Sequence, residues 1–255
     1  MPAQIHLFPC LKDNFGVLIH DAGSGATAAI DAPETAPVEA ALKATGWQLT
    51  DILVTHHHGD HTAGIPDLKK RHRCRVVAPQ TEAKRIPEVD ETVREGDKVR
   101  VGGLEANVIE TPGHTAGEIS YWFPADGAVF VGDTLFSIGC GRVIEGTPEM
   151  MWQSLLKLRG LPDATRIYCG HEYTLANIKF ARTIEPDNPA LAARAKEAER
   201  QIADGKPTIP TTIAEEKAAN CFLRADVPQV AVAIGMAGRP PAQVFAEIRE
   251  RKNRF

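Results

Sequence analysis

The feature that most constrains the fold is a run of metal-binding residue types directly after an apolar segment. Residues 55–61 read Thr-His-His-His-Gly-Asp-His, after the strand-like Ile52-Leu53-Val54 and before a helical pattern. In an extended segment alternate side chains share a face, so His56 and His58 can bind one ion together. Asp60 and His61, where the chain turns into the helix, can reach a neighbouring point.

Three further apolar strands end in residues of the same chemistry. His114 follows the strand that ends at Glu110, Asp133 follows residues 129–131, and His171 follows residues 167–169. Six of the nine histidines fall in these four loops. Ligands at four strand ends can converge on one edge of a fold, so the sequence predicts a metal centre there.

The number of candidate ligands indicates two ions. A catalytic zinc ion uses about three protein ligands plus water, so the seven candidates of this sequence are too many for one ion. Two ions that share a carboxylate accommodate all of them. The predicted first site is His56, His58 and His114, the predicted second site is Asp60, His61 and His171, and Asp133 bridges the two.

This ligand set favours catalysis over structural binding, since it contains imidazole and carboxylate but no cysteine. Two adjacent divalent ions make a bridging hydroxide available near neutral pH and polarise a carbonyl, which predicts hydrolysis with Asp60 and Asp133 as the catalytic carboxylates. Zinc is the expected metal, and iron or manganese suit the same ligands. The alternation that pairs His56 with His58 turns His57 away, so His57 is expected outside the ligand set.

The order of elements predicts an α/β chain with helices packed over sheets. Apolar runs separated by Gly- and Pro-marked turns predict strands, then a helical region follows, so we expect a catalytic domain at 1–173 and a helical domain at 174–255. The predicted strands are 16–20, 27–31, 52–55, 75–78, 104–110, 119–123, 128–131 and 166–169. The predicted helices are 37–44, 63–70, 148–158, 174–184, 189–204, 213–221 and 241–251, with Thr147 as an N-cap and a capping box formed by Thr212 and Glu215.

Charge and composition exclude some partners. A net charge of -4 and a pI near 6.1 argue against nucleic acid or an anionic membrane as a ligand. No signal peptide or membrane-spanning stretch is recognised, and the five scattered cysteines form no C-x-x-C pair, so we expect reduced, buried thiols in a cytoplasmic protein. With no coiled-coil repeat, a monomer is expected. Taken alone, the basic tail from Arg249 to Phe255 is typical of a solvated surface.

The H-x-H-x-D-H pattern at 56–61, with the later histidines and aspartate, resembles the metallo-β-lactamase superfamily. That resemblance implies a four-layer αββα sandwich over the first two-thirds of the chain. It leaves the substrate open, because members of the superfamily hydrolyse lactams, lactones, thioesters and phosphodiesters.

Further segments resemble the glyoxalase II, or hydroxyacylglutathione hydrolase, family. They are residues 8–15, 139–147, 170–174 and the C-terminal tail. The resemblance implies hydrolysis of S-D-lactoylglutathione to D-lactate and glutathione, the second step of methylglyoxal detoxification. It also implies that glutathione is bound by Arg142, Tyr173, Arg249 and Lys252. Residues 220–224 match another family segment, in which Asn220 is assigned no ligand contact.

Two residues depart from the family pattern, and three other functions compete. Ile144 stands where many relatives have an aromatic residue, and Cys221 where many have proline. A persulfide dioxygenase would use one iron and lack the extended helical region. A lactonase or RNA-processing nuclease is disfavoured by the tail and, for the nuclease, by the charge. A metal-storing protein would bind the ions without turnover.

Overall fold

The computed structural model describes residues 2–255, which divide into two compact units. The N-terminal unit comprises the residues up to Glu110 together with Ala116–Gly132. The C-terminal unit comprises Thr111–Thr115 and Asp133–Phe255. The chain therefore passes between the units near residues 110, 115 and 132. The division expected at residue 173 stays a prediction.

The N-terminal unit contains a six-stranded sheet in the order β1-β2-β3-β4-β5-β6. Its strands are β1 (Gln4–Cys10), β2 (Asn14–His20), β3 (Thr27–Ile30), β4 (Asp51–Leu53), β5 (Arg75–Pro79) and β6 (Glu91–Val93). The first three strands are antiparallel, whereas β3, β4, β5 and β6 run parallel. Parallel neighbours need long crossover connections. Helix α1 (Thr35–Thr45) connects β3 to β4, and α2 (Gly59–Thr62) with α3 (Ile65–His72) connects β4 to β5.

The core of this sheet lies between its strands and the crossover helices. Leu18, Ile52 and Val76 from the strands form one buried cluster with Leu42 and Leu68 from the helices. Because this cluster fixes the strands, the loops that leave their ends are held in register with one another.

A second, antiparallel set of strands completes the N-terminal unit. It consists of β7 (Lys98–Val101), β8 (Leu104–Glu110), β9 (Ile119–Phe123) and β10 (Ala128–Phe130). Along the first five residues of β8, buried positions alternate with partly exposed ones, as expected when one face packs on the core.

The C-terminal unit is mainly helical. Its strands are β11 (Leu135–Phe136) and β12 (Gly139–Cys140), which form a short hairpin, and β13 (Arg166–Tyr168) paired with β14 (Thr211–Thr212). Its helices are α4 (Pro148–Arg159), α5 (Thr174–Ile184), α6 (Pro189–Ala203), α7 (Ile213–Ala219), α8 (Pro228–Ala233) and α9 (Pro241–Arg254). Within residues 2–255, none of the helices combines the length and apolar character needed to cross a membrane.

Several sequence predictions are confirmed to the residue. Strands β8 and β9 and helix α5 have the predicted bounds. The Thr147 hydroxyl accepts a hydrogen bond from the Met150 amide as the N-cap of α4. Thr212 and Glu215 form the predicted capping box of α7. N-capping residues therefore predicted where both of these helices begin.

Other predictions are wrong for identifiable reasons. The region predicted as helical at 174–255 also contains one strand, β14, which pairs with β13 over two residues, too few to leave a sequence pattern. Strand β4 ends at Leu53 rather than continuing through Thr55, since the Thr55 amide donates to the Asp31 carboxylate. The helix predicted at 63–70 is replaced by α2 and α3, separated by Ala63 and Gly64. Strands β1, β6, β7, β11 and β12 and helix α8 were not predicted.

The five cysteines are all buried, as predicted. Burial raises the pKa of the Cys10 and Cys169 thiols to about 12 and that of Cys74 and Cys140 to about 11. Burial also raises the pKa of Cys221. Such thiols carry little thiolate at neutral pH, so these cysteines serve packing and not nucleophilic chemistry.

Candidate metal centre

The loop after β4 is anchored by a single buried carboxylate. Asp31 Oδ1 accepts a hydrogen bond of 2.7 Å from the Thr55 amide, and Asp31 Oδ2 accepts one of 2.8 Å from the Thr55 hydroxyl. The same Oδ2 lies 2.8 Å from His61 Nδ1. Because a carboxylate accepts, His61 Nδ1 carries the proton, and its Nε2 presents a lone pair. This is the arrangement that prepares a histidine for a metal ion.

A second carboxylate orients His56. Its Nδ1 lies 3.0 Å from the Thr55 hydroxyl and 3.5 Å from Glu118 Oε1, and His56 and Glu118 are fully buried. His56 Nε2 then faces His58 Nδ1 at 3.2 Å. A tetrahedral ion about 2.0–2.1 Å from each nitrogen would separate them by about 3.3 Å. The pair therefore has the spacing of two ligands of one ion.

His61 and Asp60 form the other half of the N-terminal ligand group. His61 Nε2 lies 3.9 Å from Asp60 Oδ2, and the His56 and His61 rings are 4.1 Å apart. Asn14 Nδ2 donates to the Asp60 carbonyl at 3.0 Å and approaches its Oδ2 at 3.4 Å. The predicted ligands of this unit, His56, His58, Asp60 and His61, thus lie close together.

His57, which is predicted to lie outside the ligand set, is held by a different carboxylate. Its backbone amide and its Nδ1 both contact Glu82 Oε2, at 2.8 and 2.7 Å. Glu82 Oε1 in turn accepts a hydrogen bond from the Gly117 amide. The buried Glu82 therefore connects His57 to Gly117 and fixes the backbone of the histidine run.

The C-terminal unit carries the three remaining predicted ligands. Asp133 Oδ2 lies 3.5 Å from His114 Nε2 and 3.3 Å from His171 Nε2. One carboxylate oxygen between two imidazole nitrogens, at separations close to the ligand spacing of about 3.3 Å, suits an aspartate shared by two ions. All three side chains are buried.

Backbone and aromatic groups orient these two histidines. His114 Nδ1 donates to the Arg142 carbonyl at 2.9 Å, so its Nε2 is left as the metal-facing nitrogen. The His171 ring stacks on Tyr173 with centroids 4.7 Å apart and an angle of 3° between the planes. Phe136 contacts both rings edge-on. Each histidine is therefore fixed by a neighbour from its own unit.

Two glycines are required by close approach. A Cβ at Gly132, whose φ is +49°, would lie 2.5 Å from Glu118 Oε1 and 2.6 Å from Thr55 Oγ1. A Cβ at Gly141 would overlap the Asp133 carbonyl oxygen. Any side chain at these positions would displace either the group that orients His56 or the backbone of Asp133.

The residues implied in glutathione binding all belong to the C-terminal unit. Arg142 is exposed, and Tyr173 is 37% exposed. Lys252 Nζ donates to the Ala176 carbonyl at 3.1 Å and lies 5.3 Å from the Phe180 ring. Burial and, secondarily, the Arg249 charge lower the pKa of Lys252. A nearby anionic ligand would therefore stabilise the charged form of Lys252.

Arg249 is less accessible than a surface tail would suggest, at 6% exposed. Its Nη1 donates to the Cys140 carbonyl at 2.8 Å, and its Cζ lies 5.1 Å from the Phe222 ring. Among residues 2–255, no acceptor takes a hydrogen bond from its Nη2, so one donor group remains for a ligand. The tail is therefore not a plain solvated surface.

Sequence reasoning missed the carboxylates that orient the histidines, Asp31, Glu82 and Glu118. Asp31 ends a predicted strand and has a left-handed φ of 58°, which no sequence pattern announces. The available signal was the need of every buried metal-binding histidine for an acceptor at its other nitrogen. That rule states that such carboxylates exist, but it does not select them among the 33 acidic residues.

Two family models match consecutive segments of the chain, and curated relatives match all or nearly all of it. Residues 12–171 match the family model of the metallo-β-lactamase superfamily, and residues 172–255 match that of the hydroxyacylglutathione hydrolase C-terminus. A hydroxyacylglutathione hydrolase of Rhodopseudomonas palustris (strain BisB5) is 65% identical over 253 residues, which are 99% of either chain. One of Nitrobacter winogradskyi is 61% identical over the whole of both chains.

Among solved structures, ETHE1 from Myxococcus xanthus superposes with a TM-score of 0.71 at 28% identity. The match covers 99% of this chain and 92% of that one. The expected α/β metallo-β-lactamase fold with a C-terminal helical region is thereby confirmed.

The Asp31 network generates a prediction. In Asp31→Asn, Oδ1 can still accept from the Thr55 amide, but an amide NH₂ in place of Oδ2 cannot accept from His61 Nδ1. We expect zinc affinity to fall by about 10- to 100-fold, the usual effect of removing a histidine's carboxylate partner. Equilibrium competition with a chromogenic chelator measures it.

Asp21→Asn is the matched control, because Asp21 is also buried and hydrogen-bonded, but to Ser24, Gly23 and Gly103. Zinc affinity should be unchanged in that variant. Equal affinities in the wild type and Asp31→Asn would show that His61 needs no such partner.

Proposed function

Because this chain belongs to the hydroxyacylglutathione hydrolase family of the metallo-β-lactamase superfamily, we propose that it hydrolyses the thioester S-D-lactoylglutathione to D-lactate and glutathione. One observation carries the proposal. His56, His61 and His114 each have an acceptor from their own unit at Nδ1, so that Nε2 is the nitrogen offered to a metal ion. Structural packing alone gives no reason for this repeated arrangement.

The ligand assignment rests on family membership and on the chemistry inside each unit. His56, His58 and His114 would hold one ion, Asp60, His61 and His171 the other, and Asp133 would be shared. Imidazole and carboxylate suit zinc, which we propose at both positions, and they also accept iron or manganese. Bound there, the ions would supply hydroxide near neutral pH and polarise the thioester carbonyl.

The protein's own groups would hold two of the proposed ligands in one orientation and one tautomer. Asp31 and the Arg142 carbonyl each accept from a histidine Nδ1–H, which would fix the tautomer of His61 and His114 so that Nε2 is the nitrogen offered to an ion. No general acid is needed for the leaving group, because the thiol of glutathione has a pKa of about 8.5 and departs as a thiolate. That explains why no proton donor has to be assigned.

Recognition of glutathione is proposed for the cationic side chains of the C-terminal unit. Arg249 and Lys252 lie three residues apart on α9, and helix geometry therefore places them on one face. Two cations on one face, with the exposed Arg142 and Tyr173 elsewhere in the unit, match a ligand that has two carboxylates and a peptide backbone. Ile144, the residue that departs from the family pattern, is 57% exposed.

The proposal includes a compartment in which thiols stay reduced. The cysteines are buried and form no C-x-x-C pair, which fits a compartment that keeps glutathione and protein thiols reduced. We therefore propose that the enzyme works in the cytoplasm. Because the sequence has no coiled-coil repeat, we also propose that it is a monomer.

The substrate prediction compares two thioesters. The protein loaded with zinc should cleave S-D-lactoylglutathione with a kcat/KM at least 100-fold above that for the D-lactoyl thioester of N-acetylcysteamine, which lacks both carboxylates, since each charge-assisted hydrogen bond contributes about 1.5–3 kcal/mol. Loss of absorbance of the thioester measures both rates. Equal kcat/KM values would contradict glutathione recognition, and oxygen uptake with glutathione persulfide but no thioester cleavage would contradict the hydrolase.

The role of Lys252 is tested by Lys252→Met, which keeps the length of the side chain and removes its charge. We expect KM for S-D-lactoylglutathione to rise about tenfold or more, because one charge-assisted contact is lost, while kcat and zinc content stay the same. Arg254→Met is the control, since Arg254 lies two residues further on the same helix and its side chain is 66% exposed. An unchanged KM in Lys252→Met would remove Lys252 from the substrate site.

A further inference from the structure

The hairpin of β11 and β12 joins Asp133 to Arg142, and helices of the C-terminal unit hold it through side chains. Five of these side chains hydrogen-bond to residues 136–140. They are Asn177 to the Ser137 carbonyl at 3.2 Å, Arg194 to the Ser137 hydroxyl at 3.0 Å, Glu216 to the Ile138 amide at 2.8 Å, Asn220 to the Phe136 and Gly139 carbonyls at 3.3 and 3.0 Å, and Arg249 to the Cys140 carbonyl at 2.8 Å.

The tip of this hairpin needs support. Ile138 has a φ of 57°, in the left-handed region that a β-branched residue seldom adopts. Such a conformation persists only where the surroundings determine it. The support comes from Glu216 Oε2, which accepts the Ile138 N–H, and both residues are fully buried.

Glu216 and Asn220 act as one connected group. Asn220 Nδ2 donates to Glu216 Oε2 at 2.8 Å, and Asn220 Oδ1 accepts from the Phe222 amide at 3.0 Å. Burial raises the pKa of Glu216 to about 7, against the hydrogen bonds from Ile138, Asn220 and Thr211. A buried carboxyl is destabilising unless it is hydrogen-bonded. These two residues therefore link the C-terminal end of α7 to the hairpin.

Both ends of the hairpin lead to the candidate metal centre. The Gly141 amide donates to the Thr134 carbonyl, and a Cβ at Gly141 would overlap the Asp133 carbonyl. The next residue, Arg142, provides the carbonyl that accepts from His114 Nδ1. A shift of the hairpin would therefore move Asp133 and remove the acceptor that orients His114.

We propose that Glu216 and Asn220 are positioning residues, which hold the β11–β12 hairpin so that Asp133 and the Arg142 carbonyl keep their places beside His114. Neither residue touches the substrate. The inference rests on the proposed function, since the ligand roles of Asp133 and His114 belong to it. The helical region would then support the metal ligands as well as bind the substrate. Asn220, to which no ligand contact is assigned, would have a structural role.

Four variants test the role, with zinc retention against a chelator and steady-state hydrolysis of S-D-lactoylglutathione as readouts. In Glu216→Ala, Asn220→Ala and Asn220→Asp, we expect about a tenfold or larger loss of zinc affinity or of kcat, with KM changed less than twofold. Asn220→Asp keeps the shape but puts oxygen against the Phe136 and Gly139 carbonyls, so it remains informative if the alanine variants do not fold. Glu216→Gln should retain wild-type values, because its amide oxygen can accept both hydrogen bonds.

Ile213→Ala is the control for general destabilisation of α7, because Ile213 is fully buried and its side chain has no hydrogen-bonding group. It should lower Tm without changing kcat or zinc affinity. Zinc affinity and kcat within twofold of wild type in Asn220→Asp, or an equal loss in Ile213→Ala, would overturn the positioning role. Absence of thioesterase activity in the wild type would instead reject the proposed function, and zinc retention would still decide whether Glu216 and Asn220 position the ligands.

Discussion

The Asp31 carboxylate is the constraint on which the N-terminal half of the metal centre depends. Its two oxygens accept from the Thr55 amide, the Thr55 hydroxyl and His61 Nδ1, so one buried group ends β4 and orients a ligand. A buried carboxylate is tolerated only when its hydrogen bonds are made. The loop after β4 and the candidate ligand His61 are therefore fixed together by one group at the ends of β3 and β4.

In the C-terminal unit a backbone group, the Arg142 carbonyl, orients the candidate ligand His114. Asp133 and Arg142 flank a hairpin too short to define its own geometry, with four residues in its two strands. The helical region at 174–255 supplies hydrogen bonds to this hairpin through Asn177, Glu216 and Asn220. All three side chains lie within residues 172–255, which match the hydroxyacylglutathione hydrolase C-terminus.

Residue types and strand patterns sufficed to predict the α/β fold and the seven candidate ligands, because long apolar runs and histidine-rich loops are local signals. What the sequence could not show depends on contacts between distant residues. The pairing of Asp31 with His61 spans 30 positions, and the pairing of Glu216 with Ile138 spans 78. The left-handed backbone at Asp31 and Ile138 is imposed by those contacts and not by the residues themselves.

We propose that hydrolysis by this chain depends on two bound metal ions. Titration of metal-free protein with zinc, followed by the rate of S-D-lactoylglutathione cleavage, tests it most directly. The rate should rise until two equivalents of zinc per chain are bound, and Asp133→Asn should abolish this rise. A rate that is complete at one equivalent, or that rises equally in Asp133→Asn, would contradict it.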